Sequence, residues 1–191
     1  MVGAAASYRI GRLLRPFSRL AGDRAGVAAV EFALILPIML TLYLGANEFG
    51  NALTIQRKVT HVTSSVSDLV AQAKTISNAD MTNILDASAA VLTPYPTAKL
   101  TIKVSLIKID AVGTATVVWS DARNTTALTV GAVVQVPADV KTANTYLVNA
   151  EVHYDYVPTI GYVMTGHFDL QDKFYLRPRL STDIKRPPNY T

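Results

Sequence analysis

Three hydrophobic patterns follow one another along the chain. The first is an unbroken apolar run from Val27 to Ala46, 20 residues in which Glu31 is the one charged side chain. At about 1.5 Å of rise per residue such a run covers roughly 30 Å, the thickness of a bilayer's hydrocarbon core. It predicts a membrane-spanning helix over 27–46, with Pro37 near its middle and a kink there, because proline removes one helical hydrogen bond. In the second pattern Ile55, Val59, Val62, Val66, Leu69, Ala73 and Ile76 recur at alternating spacings of four and three. This narrow stripe predicts that the helix continues over 47–77, its apolar side covering a sheet of its own domain or meeting other subunits in a bundle. Valine and threonine are weak helix formers, so packing has to hold this half. A shorter helix is expected over 79–92, with Met81, Ile84, Leu85, Ser88, Val91 and Leu92 on one face and Asn78 as its N-cap.

Pro94 and Pro96 stop helix formation, and the period then falls to two. Leu100, Ile102, Val104 and Leu106 alternate with Thr101, Lys103 and Ser105, which predicts a half-buried strand. Gly113 marks a turn and Thr116 to Trp119 the returning strand of a hairpin. Residues 121–145 are polar and turn-rich, apart from an apolar piece at Ala132 to Val136. From Tyr146 to Val157 the alternation resumes, with Tyr146, Val148, Ala150, Val152, Tyr154 and Tyr156 on one face. A last strand is expected at about Phe168 to Leu176, before a basic, proline-containing tail. A long helix, a short one and about four antiparallel strands make an α+β arrangement. The expected organisation is a leader over 1–26, the span over 27–46, the amphipathic continuation over 47–77 and a globular domain over 78–191.

Charge orients this arrangement. Residues 1–26 carry Arg9, Arg12, Arg15, Arg19 and Arg24 against Asp23 alone, while the remaining 13 basic and 13 acidic side chains balance. Arginines before the apolar run place the N-terminus in the cytoplasm and the domain outside. Arg12, Arg15 and Arg19 lie opposite Leu13, Leu14, Phe17 and Leu20 at helical spacing, so the leader is either an interfacial helix or a topology-setting tail. The neutral remainder offers no basic surface for nucleic acid. The chain has no cysteine, which removes disulfides and thiolate metal sites, so an external domain must rely on its core.

Glu31 carries the functional question, since a carboxylate in the middle of a bilayer costs roughly 2.5–3.5 kcal/mol and less near an edge. Gly26, four small or apolar residues, then Glu31 and Phe32 ahead of a long apolar helix resembles the processing site of type IV prepilins. RAGVAAVEFALILPIML, with EFG at the far end, more closely resembles the TadE-like family, the minor pilins or pseudopilins of tight-adherence (Tad/Flp) pili. The likeness covers about residues 22–50. It implies a pilin-like fold and cleavage between Gly26 and Val27 by a cytoplasmic-face prepilin peptidase. It also implies that Glu31, with Phe32, serves peptidase recognition and assembly, the carboxylate pairing with a neighbouring subunit's new N-terminal amine. The implied partners are other Tad/Flp pilins and pseudopilins, the prepilin peptidase, the inner-membrane assembly platform and the lipid bilayer. The implied location is the bacterial inner membrane, with the domain periplasmic and the protein's place in the surface pilus open.

Catalytic patterns are missing. His61, His153 and His167 are expected on a helix, a strand and a loop, without metal-ligand spacing, although His153 and Asp155 share a strand face. No nucleophile elbow, phosphate loop or zincin motif is present. The expectation is a structural protein with no cofactor and no metal. The Tyr146, Tyr154 and Tyr156 stripe fits core packing, with a ligand-binding surface as the lesser option. The main alternative is an uncleaved single-span anchor bearing a binding or adhesin domain. A third is a signal peptide cut near Leu44, Gly45 and Ala46, a role for which a 20-residue run is long.

Overall fold

The structure, a computed structural model, describes residues 24–161, 163 and 165–187. The leader reading over 1–26 falls outside these residues except at its last three positions. The chain divides into two compact units, Met1–Asn47 and Glu48–Thr191.

Helix α1 runs from Arg24 to Ala71 and contains Pro37. Helix α2 covers Asn78–Ala90. Four antiparallel strands follow: β1 (Leu100–Ile109), β2 (Ala115–Arg123), β3 (Thr145–Tyr156) and β4 (Phe168–Leu176), ordered β2-β1-β3-β4 in one sheet. The α+β class expected from the changing hydrophobic period is therefore the observed one.

The second half of α1 gives its apolar side to this domain's own core. Ile55, Val59, Val62, Val66 and Val70 are fully buried with Leu100, Ile102, Val104 and Leu106 of β1 and Val148, Ala150, Val152, Tyr154 and Tyr156 of β3. Two expectations are corrected here. The helix ends at Ala71, not 77, and Val70 rather than Leu69 is the buried residue of its last turn; Leu69 is exposed. The buried set, which also includes Thr63 and Ser67, drifts as a straight 3.6-residue helix does, whereas a 3.5-residue seam would have kept Leu69 inside. Beyond Ala71, Ile76 still reaches the core, carried there by the turn before α2.

α2 starts one residue earlier than expected, and its N-cap is Ser77, not Asn78. Ser77 Oγ accepts from the Asp80 N–H at 3.1 Å, and Asp80 Oδ2 accepts from the Ser77 N–H at 3.0 Å. This reciprocal pair satisfies two donors that a helix start leaves without partners. At the other end, Lys58 Nζ of α1 donates to the carbonyls of Val91 and Thr93 at 3.1 and 2.7 Å, where a cation is favoured.

β2 is nine residues long, extending past the expected Trp119 to Arg123. Its polar end, Ser120 to Arg123, pairs with Ile102–Ser105 across a register shift at Leu106/Ile107. That shift breaks the simple alternation that a strand pattern needs. On the opposite sheet face a second cluster forms from Ile107, Ile109, Ala115, Leu147 and Val136, with Val134, Val140 and Tyr175 packed against it. The apolar piece at 132–136 is thus a cover for one end of that face. The tail after β4 is tied down: Trp119 Nε1 donates to the Ile184 carbonyl at 2.8 Å, and Arg186 forms a two-pronged pair with Asp121 at 2.6 and 2.7 Å.

Candidate functional site

From Val27 to Tyr43 the side chains of α1 are exposed on every face. Val30, Phe32, Leu34, Ile38, Leu42 and Tyr43 each expose more than 60 % of their surface. An apolar surface of this extent has no stable place in water. The helix is long and apolar enough to cross a membrane, with a mean hydropathy of 2.2 in its most apolar window. A helix suits lipid because its backbone groups bond internally. The exception is set by covalent chemistry: Pro37 has no N–H for the Ala33 carbonyl. One turn later, Thr41 Oγ1 donates to the Pro37 carbonyl at 2.8 Å.

Gly26, Val27, Glu31 and Phe32 all lie within α1. Val27 and Glu31 are four residues apart, so they share a helix face about 6 Å apart along the axis. Glu31 and Phe32 are both exposed. The candidate scissile bond and the acid therefore form one patch on the same stretch of helix.

The second unit begins with a residue whose role the sequence did not reveal. Glu48 is 1 % exposed, and its Oε1 accepts from the N–H groups of Ile160 and Gly161 at 3.1 and 2.6 Å. The Tyr156 hydroxyl donates to the Glu48 carbonyl at 3.4 Å. Burial, then Glu48, then Tyr95 push the Tyr156 phenol above its ordinary value. The φ of +62° at Gly161 lies in the left-handed region that glycine adopts without strain. The available clue was an acid placed two residues beyond an apolar run.

The histidines do not gather. His61 is exposed on α1. His153 Nδ1 lies 2.9 Å from Asp169 and its Nε2 3.3 Å from Glu151, while Asp155, its neighbour on the strand face, pairs with His167 instead at 2.9 Å. Burial alone would raise the Glu151 carboxyl, but Lys173, then His153 and Lys103, hold it below its ordinary value. Among the described residues no group of three or more histidine, aspartate or glutamate side chains is arranged to hold a metal. Tyr154 and Tyr156 are buried in the main core and Tyr146 packs against it, so the tyrosine stripe is core.

Comparison with known proteins gives one positive finding. The family model described as TadE-like protein matches residues 26–67, from the candidate cleavage site through most of α1. No curated protein and no solved structure matches the chain. The resemblance drawn from the opening stretch thus holds over that segment.

Proposed function

We propose that this chain, TadE-like over residues 26–67, is a pilin-like structural component of a Tad pilus, a minor pilin or pseudopilin that acts in assembly. The observation that carries this reading is the first part of α1: a helix apolar on all sides, with one acid four residues beyond a glycine–valine bond. Such a surface needs lipid before assembly and other apolar helices after it.

In this reading the prepilin peptidase cuts between Gly26 and Val27 at the cytoplasmic edge of the inner membrane. Both residues are helical in the uncut chain. The peptidase has to open that backbone, and glycine, about 1 kcal/mol weaker than alanine as a helix former, makes opening easier and lets the enzyme approach closely. The cut frees an α-amine on Val27 that is largely cationic at neutral pH, with an ordinary pKa of ~7.7–8. Glu31 then pairs with the amine of a neighbouring subunit. Each charge is costly in lipid and together they are neutral, so the pair favours assembly in register more than it adds stability. Pro37 bends the helix so that it fits among its neighbours, and the other Tad/Flp pilins and the assembly platform are its partners. From Ile55 onward the apolar side of α1 is covered by its own domain. The surface offered to other pilins is therefore the stretch before it. A chain carrying a sizeable domain suits an initiating or tip position better than a dense repeating shaft.

Intact-mass analysis of the protein from its native membrane tests the reading. A chain starting at Val27 is expected. One starting at Met1 would make the protein an uncleaved anchor for a binding domain, and one starting at Asn47 a secreted protein. Gly26→Leu should accumulate uncut precursor. Glu31→Ala should be cut normally and leave cells without pili; unchanged piliation would overturn the charge-pairing role.

A further inference from the structure

We propose that the described part of the connection between β3 and β4 that carries Val157, Ile160 and Val163 is a second membrane contact, seated in the outer interfacial layer of the bilayer near the residues where α1 leaves it. This rests on the reading of α1 as a membrane span. Three observations combine to support it.

The first is composition. Between Asp155 and His167 the chain reads YVPTIGYVMTG, without a single acidic, basic or histidine residue. The second is exposure. Val157, Ile160 and Val163 leave 37, 48 and 42 % of their surface uncovered, three large aliphatic side chains within seven residues. Clustered apolar exposure of this kind marks a contact surface, whereas scattered single residues do not. The third is position, and it is fixed covalently. Ile160 and Gly161 donate to Glu48, and Glu48 follows Ala46, the last residue of the apolar run, by two positions or about 3 Å of helix. The interfacial layer on each side of the hydrocarbon core is roughly 5–7 Å thick. By chain distance Glu48 falls at that depth whenever α1 crosses the bilayer, and Ile160 and Gly161 are bonded to it. Phe49 is 58 % exposed on the same helical turn and adds an aromatic ring at the same level, where such rings concentrate.

Lipid is the favoured occupant because the covalent link brings it to the loop in every inserted molecule, before any subunit meets another. Aliphatic side chains interleaved with Thr159, Thr165 and glycine, without charge, suit the boundary between headgroups and acyl chains.

The absence of cysteine makes the test direct. The full chain is prepared with Ile160→Cys, Val163→Cys, Val112→Cys or Leu40→Cys, labelled with nitrobenzoxadiazole and reconstituted into phosphatidylcholine–phosphatidylglycerol vesicles. Quenching is then measured with nitroxide-bearing lipids and with a water-soluble quencher. Val112, exposed in the β1–β2 turn, reports water, and Leu40 reports the span. Probes at 160 and 163 should emit to the blue of the probe at 112, with at least twofold stronger quenching by lipid. If the Leu40 probe is quenched by lipid while those at 160 and 163 behave like Val112, the loop contact is wrong and the span stands. If the Leu40 probe is not quenched by lipid, the span itself fails. If 160 and 163 are shielded from water yet untouched by lipid quenchers, the loop faces a second copy of the chain and the lipid contact is overturned.

Discussion

One carboxyl group accounts for much of the order in the β3–β4 connection. Two N–H groups converge on Glu48 Oε1 within hydrogen-bond distance, and the carboxyl group itself is buried. Removing the acceptor takes the charged partner from both part-buried donors; a hydrogen bond to a charged group contributes about 1.5–3 kcal/mol, and water reaching the exposed loop offsets part of the loss. Glu48→Ala should therefore lower the stability of the full chain in detergent by about 2–3 kcal/mol. Urea unfolding followed by the fluorescence of Trp119, the single tryptophan, measures it. Glu48→Gln keeps an acceptor oxygen and should lose less than half as much. Glu31 presents the opposite case: it too is an acid beside apolar sequence, but its side chain is exposed.

At the scale of elements, α2 shows how a short helix is held at both ends. Thirteen residues are marginal for a helix in isolation. Ser77 and Asp80 close its start, Lys58 meets the carbonyls beyond its end, and Met81, Leu85 and Ala89 bury its face. Ser77→Ala should cost about 1 kcal/mol, a typical value for losing an N-cap. The hydrogen bonds from Ser77 hold the Asp80 carboxyl below its ordinary pKa. A depressed carboxylate contributes stability that is complete above its unfolded value, ~3.9, and is lost as pH falls through its lower folded value. The difference between wild type and Ser77→Ala should thus be constant from neutral pH to about pH 5 and shrink below about pH 4. Thermal unfolding across that range is the measurement, and a difference that grows in acid would show the sign to be wrong.

At the scale of the second unit, the C-terminal segment closes the fold. Residues 177–187 return to the end of α1: the Arg179 N–H donates to the Ala71 carbonyl, Lys185 exchanges backbone bonds with Lys74 and Ile76, and Ile184 enters the core. Arg186 joins this strap to β2 through Asp121 and donates to the Ile76 carbonyl at 3.2 Å. Paired, planar charge-assisted bonds of this type are the strong ones in a partly covered site. Arg186→Ala should cost about 2 kcal/mol. Because the Trp119 indole donates to the Ile184 carbonyl, the variant should also shift tryptophan emission to the red before global unfolding. An unchanged spectrum and midpoint would show that the strap is held by Ile184 alone.

The amino-acid pattern determined by itself whatever depends on local periodicity and on charge. The apolar run, the helical stripe from Ile55 to Val66, β1, β3 and β4 were all legible, because solvent imposes a period of 3.6 on a helix face and 2 on a strand face. The TadE-like segment was legible too, since its features lie within a few turns of one helix. Tertiary structure decided the rest. Whether Val70 or Leu69 turned inward depended on the straightness of a helix laid across a sheet. The full length of β2 depended on a register shift against its partner, and the packing of the 132–136 piece on a second sheet face far away in sequence. The roles of Glu48 and Arg186 depended on partners 112 and 65 residues distant. Contacts between positions so far apart leave no periodic trace along a chain. They arise when burial brings polar groups out of water and each must find a partner there.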